Sequence, residues 1–353
     1  LIVTVHFPQG ALIDRTPAWQ TRQIERSQQS RAALPYALAS GAGIFALALA
    51  GLGLYRRKNL QEYPESIPSG IITSPPDDLY PAQAGTLMNN GAANIKHVFA
   101  TMLDLTRRGW LRMQEVKGSG LFKAKDFIIT REKPGEDLKL HEMVIYDFLF
   151  KARGGWRETA KLSEVGAKFS SRMSIFNQGL RSELISKKLI LNNRLKQRSR
   201  LGGLGFLFIF IGLPLVLIAA MSIGISDPRT VFFGTIILGV GIGLILTAAA
   251  LWVQSLSWPV LSETGAARLE HWNSYRDYLK DLIKSNAALR QEWLEEYMSF
   301  AVAFGLGEQW VKAFKERGLS TALPWVLSLS GGYADGSVVA AAISSSSAAG
   351  GGG

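Results

Sequence analysis

The side chains that could carry acid–base or metal chemistry are few and scattered. The four histidines, His6, His97, His141 and His271, nowhere fall at metal-ligand spacing such as H-E-x-x-H. Cysteine is absent, so disulfide frameworks, thiolate metal sites and cysteine nucleophiles are excluded. Asp77 with Asp78 and Glu295 with Glu296 are carboxylate pairs adjacent in sequence. The second pair lies in a helical pattern, where neighbours diverge by about 100°, and reads as solvated surface. The first reads as a helix cap. The stretch "GVGIG" at 239–243 has the look of a nucleotide-binding glycine loop, but it sits inside an uncharged run and is better read as a helix-packing face. No Walker A, G-x-S-x-G or carboxylate-rich metal motif occurs elsewhere. These residues predict no enzyme, no cofactor, no metal and no small-molecule substrate.

The sequence instead sets charge directly against apolar length. The chain has 353 residues, room for two or three domains, and is 47% hydrophobic but only 19% charged. Its formal net charge is +11, yet the stretch from Lys96 to Arg200 alone holds 23 Lys and Arg against 11 Asp and Glu. The excess is therefore local, and it calls for an anionic partner, phospholipid or nucleic acid.

Crossing a bilayer takes roughly 20 apolar residues in a helix. Three uncharged runs reach that length, at 32–54, 201–225 and 231–253. The first is rich in Ala and Gly, which lets helices approach closely and predicts packing against a partner helix. Gly239 and Gly243, spaced G-x-x-x-G in the third run, predict the same. Topology follows from the flanks. Arg56, Arg57 and Lys58 close the first run, while Arg194, Lys196, Arg198 and Arg200 precede the second. Both clusters belong to one connecting segment, which the positive-inside rule assigns to the cytoplasm, leaving the N-terminus outside. Their side chains are candidates to meet lipid headgroups, each contributing about 1 kcal/mol near an anionic surface. Arg22, Arg26 and Arg31 before the first run carry the opposite signal.

Outside the runs the chain reads as follows. Residues 1–31, opening on the alternating "LIVTVHFPQG", read as the last strand of an exported β-rich domain and a juxtamembrane segment. A proline-containing linker spans 55–78. At 79–135, helices, a glycine stop at Gly109, a strand, the loop "KGSGLFKAKD" and a return strand "FIIT" give a winged-helix-like pattern. Lys117, Lys123 and Lys125 lie in the wing, where they could meet phosphates. A second such unit follows at 136–193, with "KLSEV" beginning one of its helices. No run of Arg, Asn or Gln is placed to read base edges, which argues against nucleic acid and for protein partners. Residues 254–320 read as cytoplasmic helices with apolar stripes, and 321–353 as a flexible Ser/Ala/Gly-rich tail.

Taken in order, the basic-flanked span, "FATMLDLTRRGWLRMQE", "LSETGAARLEHWNSYRDYLKDL", "EEYMSFAVAFGLGEQWVKAF" and the Ser/Gly tail resemble the YciQ-like family of bacterial predicted membrane proteins, a domain-of-unknown-function family. The resemblance implies an exported β-sandwich before the first span. It implies architecture only, since the family has no assigned catalytic residues.

The expectation is an integral membrane α-helical protein with three transmembrane helices. It carries cytoplasmic α+β tandem winged-helix-like domains and an N-terminal remnant of an exported β-sandwich, in the bacterial plasma membrane. Its expected role is an envelope scaffold or signal relay, contacting membrane lipids and protein partners. A membrane-tethered DNA-binding regulator and an accessory transport subunit are the alternatives, the latter weakened because no run holds an ionisable residue.

Overall fold

The computed structural model describes residues 17–60, 70–116, 126–152, 154–162, 169–224, 227–285 and 290–318. The wing loop with Lys117, Lys123 and Lys125, the N-terminal strand, most of the "KLSEV" helix and the tail lie outside these residues. The chain divides into two compact units. One contains 1–62 and 193–258; the other contains 63–192 and 259–353.

The first unit is a bundle of long helices: α1 (Ala18–Asn59), α6 (Asn192–Gly224) and α7 (Pro228–Ser257). Each contains a window apolar and long enough to cross a membrane, with only 11%, 17% and 33% of the window's residues buried. Phe206, Phe210, Met221, Phe233 and Val253 stand exposed. Such continuous apolar surface is costly in water and ordinary against lipid tails. All three helices outrun the uncharged runs. Helix α1 begins in the polar stretch before its apolar part, and α6 takes the basic cluster into its first turns. A helix propagates through charged residues once its apolar part is fixed, because each added residue gains a backbone hydrogen bond. Asp227 starts α7, accepting a hydrogen bond from the Thr230 amide at 3.0 Å.

The second unit is α+β. Helices α2 (Pro81–Met88) and α3 (Ile95–Arg107) lead into β1 (Leu111–Val116) and β2 (Asp126–Arg131). Gly91 and Gly109, both at φ 73°, end the helices by the left-handed turns that glycine adopts without strain. Next come α4 (Leu140–Phe150), a short hairpin of β3 (Lys151–Ala152) and β4 (Gly155–Trp156), β5 (Thr159–Lys161) and α5 (Met173–Ser186). The sheet is antiparallel in the order β1-β2-β5, with Met113 opposite Ile129 and Ile129 opposite Ala160. Leu111, Met113, Phe127 and Ile129 face inward while Arg112 and Gln114 face out, the period-two alternation of a half-buried sheet.

The division expected between 79–135 and 136–193 is not one between separate cores. Strand β5 completes the sheet begun by β1 and β2, and one apolar cluster runs from Ala82 and Met102 through Ile145 and Phe150 to Phe176 and Leu180. The three-residue β5 and the helices α4 and α5 cannot bury their apolar faces without that neighbouring sheet.

Helices α8 (Glu263–Lys284), α9 (Gln291–Ala303) and α10 (Gly307–Glu316) also belong to this unit rather than to a domain of their own, with α9 packing on α2 and α3. Trp272 stacks on Phe300 with ring centroids 5.5 Å apart, and Tyr275 and Trp310 are buried beside them. The "LSETG" motif has a local physical reason. The Ser262 amide donates to the Leu189 carbonyl at 3.0 Å, and its hydroxyl donates to the Lys188 carbonyl at 2.6 Å. A Cβ on Gly265 would come within 2.1 Å of the Leu189 carbonyl oxygen, so only glycine fits there. After α5 the chain forms an isolated bridge, Ile190 with Leu261.

Candidate functional site: the cationic end of the helix bundle

The first unit is held together by close backbone contact. A Cβ on Gly239 would lie 2.2 Å from the Ala37 carbonyl oxygen, and one on Gly243 would lie 2.6 Å from that of Gly41. Gly239 and Gly243 of "GVGIG" thus lie on the surface where α1 and α7 meet. Between α6 and α7 the same role falls to Gly205 against Trp252 and to Gly212 against Gly241. With lipid tails as apolar as the side chains, such approach and the dispersion contacts it permits hold membrane helices together.

At one end of the bundle, three helix ends converge. Gln197 on α6 donates from Nε2 to Oδ1 of Asn59 on α1 at 2.9 Å. Ser255 on α7 donates to the Arg198 carbonyl at 2.9 Å. Tyr55 packs against Trp258 with ring centroids 5.5 Å apart, over Leu201 and Leu251. The two basic clusters, 138 residues apart at the Asn59–Gln197 bond, therefore share one end of the bundle. Arg56, Arg57, Lys58, Lys196 and Arg200 are exposed there, Arg198 is half-buried and Arg194 is buried. The opposite end is mixed in sign, carrying Asp227 and Glu25 as well as Arg22, Arg26, Arg31 and Arg229.

The second unit buries several ionisable groups that the sequence reading did not single out. Arg108 pairs with Asp104 at 2.8 Å and with Glu142, and lies 4.9 Å over the Tyr80 ring. Asp104 and Glu142 are 2% and 1% exposed. Nearby, Glu183 accepts from Nδ1 of His141 at 2.7 Å and from Gln83 at 2.6 Å. Burial pushes the Glu183 carboxyl up, but the bonds from His141 and Gln83 outweigh it and hold the carboxyl below its usual range. A His–Glu pair can serve a general base, but the His141 ring is 1% exposed and offers no face to a substrate. Its bonds tie α2, α4 and α5 together. The one sequence signal for these networks was Asp104 four residues before Arg108 on a helix, the spacing of an ion pair; the long-range partners left none.

His97 is likewise buried. Its Nδ1 accepts from the Asn94 amide at 3.2 Å, and it also hydrogen-bonds the Ala303 backbone, so it joins α3 to α9. Burial lowers its pKa to about 4, with Lys96 adding to the effect. Asp77 does not cap a helix. Its carboxylate accepts from the Leu79 amide and pairs with Arg268 at 3.2 Å, while Asp78 pairs with Lys187 at 2.8 Å and Tyr80 holds the N-cap position of α2. Glu295 and Glu296 are exposed on α9. Among the described residues no group of three His, Asp or Glu is placed to hold a metal ion. A cavity of about 500 Å³ opens between α4 and α5, lined by Val144, Asp147, Phe148, Lys151, Arg172 and Ile175.

No curated protein and no solved structure matches this chain. A family model does: the predicted membrane protein (DUF2207) C-terminal domain matches residues 73–314, taking in helices α2 to α9, the α6–α7 hairpin among them, and most of α10. With more than half of the chain inside that match and three bilayer-length helices in the fold, the chain belongs to the DUF2207 family of membrane proteins.

Proposed function

We infer that this protein is a non-enzymatic coupler of the bacterial plasma membrane. It would act as a scaffold or signal relay between an extracytoplasmic domain and a cytoplasmic module that contacts other proteins. The observation that carries the reading is connectivity. The chain passes between its two units three times, at 62–63, 192–193 and 258–259. A module hung on one linker can leave its membrane helices indifferent to what it binds. One threaded by three chain segments has its folding and its ligands linked to the positions of three helix ends. The order α2, α3, β1, β2 supports reading the first half of the module as winged-helix-like, a form that serves protein contacts as well as DNA. The basic flanks support a cytoplasmic module.

The test is photocrosslinking in intact cells, with the crosslinker at half-exposed Ile175 or Met143 of the full chain, read after solubilisation in detergent. Reproducible protein adducts are the expected result. Recovery of a defined DNA sequence instead would replace the reading with that of a membrane-tethered regulator, and adducts with lipid alone would overturn it. Reporter fusions place the orientation: residues 70 and 290 should report cytoplasm and residue 17 the outside.

A further inference from the structure

We propose that the cationic end of the bundle is a binding site for anionic phospholipid, formed jointly by the C-terminus of α1 and the N-terminus of α6. The inference needs only the membrane crossing and is independent of the coupling role.

Three observations define the site. The first is convergence. The Asn59–Gln197 hydrogen bond brings the end of α1 to the start of α6, so Arg56, Arg57 and Lys58 share a layer with Lys196 and Arg200. All five are exposed, and none forms an ion pair among the described residues. The second is the absence of compensating charge along the helices. Residues 26–60, 192–226 and 228–262 contain no Asp or Glu.

The third is depth. Tyr55, and Trp252 with its Nε1–H donating to the Gly202 carbonyl at 3.3 Å, are amphipathic rings at the margin of the apolar surface, where such rings mark the boundary of the hydrocarbon. A helix rises about 1.5 Å per residue. Arg200 thus lies about 3 Å and Lys196 about 9 Å beyond Gly202, and Arg56 to Lys58 lie within about 5 Å of Tyr55. The headgroup layer on each side of the hydrocarbon is roughly 5–8 Å thick. Arg56 to Lys58 and Arg200 therefore stand among lipid phosphates rather than out in the solvent, where a nucleic acid or a free anion would meet them, and Lys196, at the outer edge of that layer, has a side chain long enough to reach back to it. The mixed-sign opposite end has no such excess, so the preference belongs to one leaflet.

The test uses the full chain in detergent with phosphatidylglycerol, phosphatidylcholine and inorganic phosphate as probes, and native mass spectrometry as the readout. Phosphatidylglycerol should remain bound where phosphatidylcholine does not. The R56Q/R57Q/K58Q and K196Q/R200Q variants should each weaken retention, by about fivefold per cation removed. Arg194 and Arg198 are left intact because they are not exposed. K312Q, exposed on α10, serves as a control and should leave retention unchanged. Equal retention of the two lipids, variants that bind phosphatidylglycerol as the parent does, or displacement of the lipid by millimolar phosphate would each overturn the proposal. A variant that loses phosphatidylglycerol while keeping its circular dichroism and elution volume supports it, since misfolding would move all three.

Discussion

Arg108 shows how much one side chain can hold. It neutralises two carboxylates that are almost wholly out of water, Asp104 on its own helix and Glu142 on α4. Removing one partner of a buried ion pair leaves an uncompensated charge, which costs about 3–5 kcal/mol. Arg107 still reaches Asp104 at 2.9 Å, which puts Arg108→Ala at about 3 kcal/mol, the low end of that range. Thermal unfolding of the full chain in detergent checks this. Adding Glu142→Gln to the variant should recover part of the loss, because the stranded charge is then gone.

His97 makes the same module acid-sensitive. The unfolded ring titrates near its ordinary value of 6.5, while burial holds the folded ring neutral to about 4. The folded state therefore binds fewer protons across that interval. The stabilisation is complete above pH 6.5 and is lost as pH falls towards 4. The amount is on the order of 3 kcal/mol. Protonating Nδ1 would also set one N–H against the Asn94 amide that now donates to it. Midpoints measured between those pH values should fall with acid in the parent chain. In His97→Gln the fall should be shallower; an unchanged slope would show that other groups control it.

Among the elements, the α1–α7 contact leaves no room for a side chain. Its glycines bring backbone to within reach of backbone, so any side chain at Gly239 must push the helices apart. Gly239→Val should cost about 1–3 kcal/mol, the usual penalty of overpacking, and lower the temperature at which the detergent-solubilised chain loses helical circular dichroism. Gly43, Gly51 and Gly53 on α1 have open space around them, so alanine at Gly51 should have no such effect. The contrast separates a packing face from a merely glycine-rich helix. The strands of the second unit are individually weak by comparison. Strand β5 has three residues, and β3 and β4 have two each, so they persist only through the sheet and helices they lean on.

For the whole molecule, one topological consequence follows from packing alone. Helices α2 and α3, from the segment before the hairpin, form one unit with α8 and α9, from the segment after it. Two segments that share a core lie on one side of a membrane, so α6 and α7 must leave and return. That conclusion uses no charge rule, yet it agrees with the basic flanks.

The sequence by itself determined the spans, the glycine contact within the third of them and the clusters of basic residues, because length, hydropathy and charge are local properties that any stretch carries with it. Helix ends were legible for a similar reason: Gly91 and Gly109 adopt a backbone conformation that few other residues tolerate. Only the tertiary structure decided that the two halves of the α+β unit share one sheet, and that the last helices close the core begun by α2 and α3. It alone joined the basic clusters of α1 and α6, and paired Arg108 with Glu142 and His141 with Glu183. Those outcomes depend on which apolar faces meet and on which buried charges find partners across gaps in sequence, and no periodicity along the chain records either.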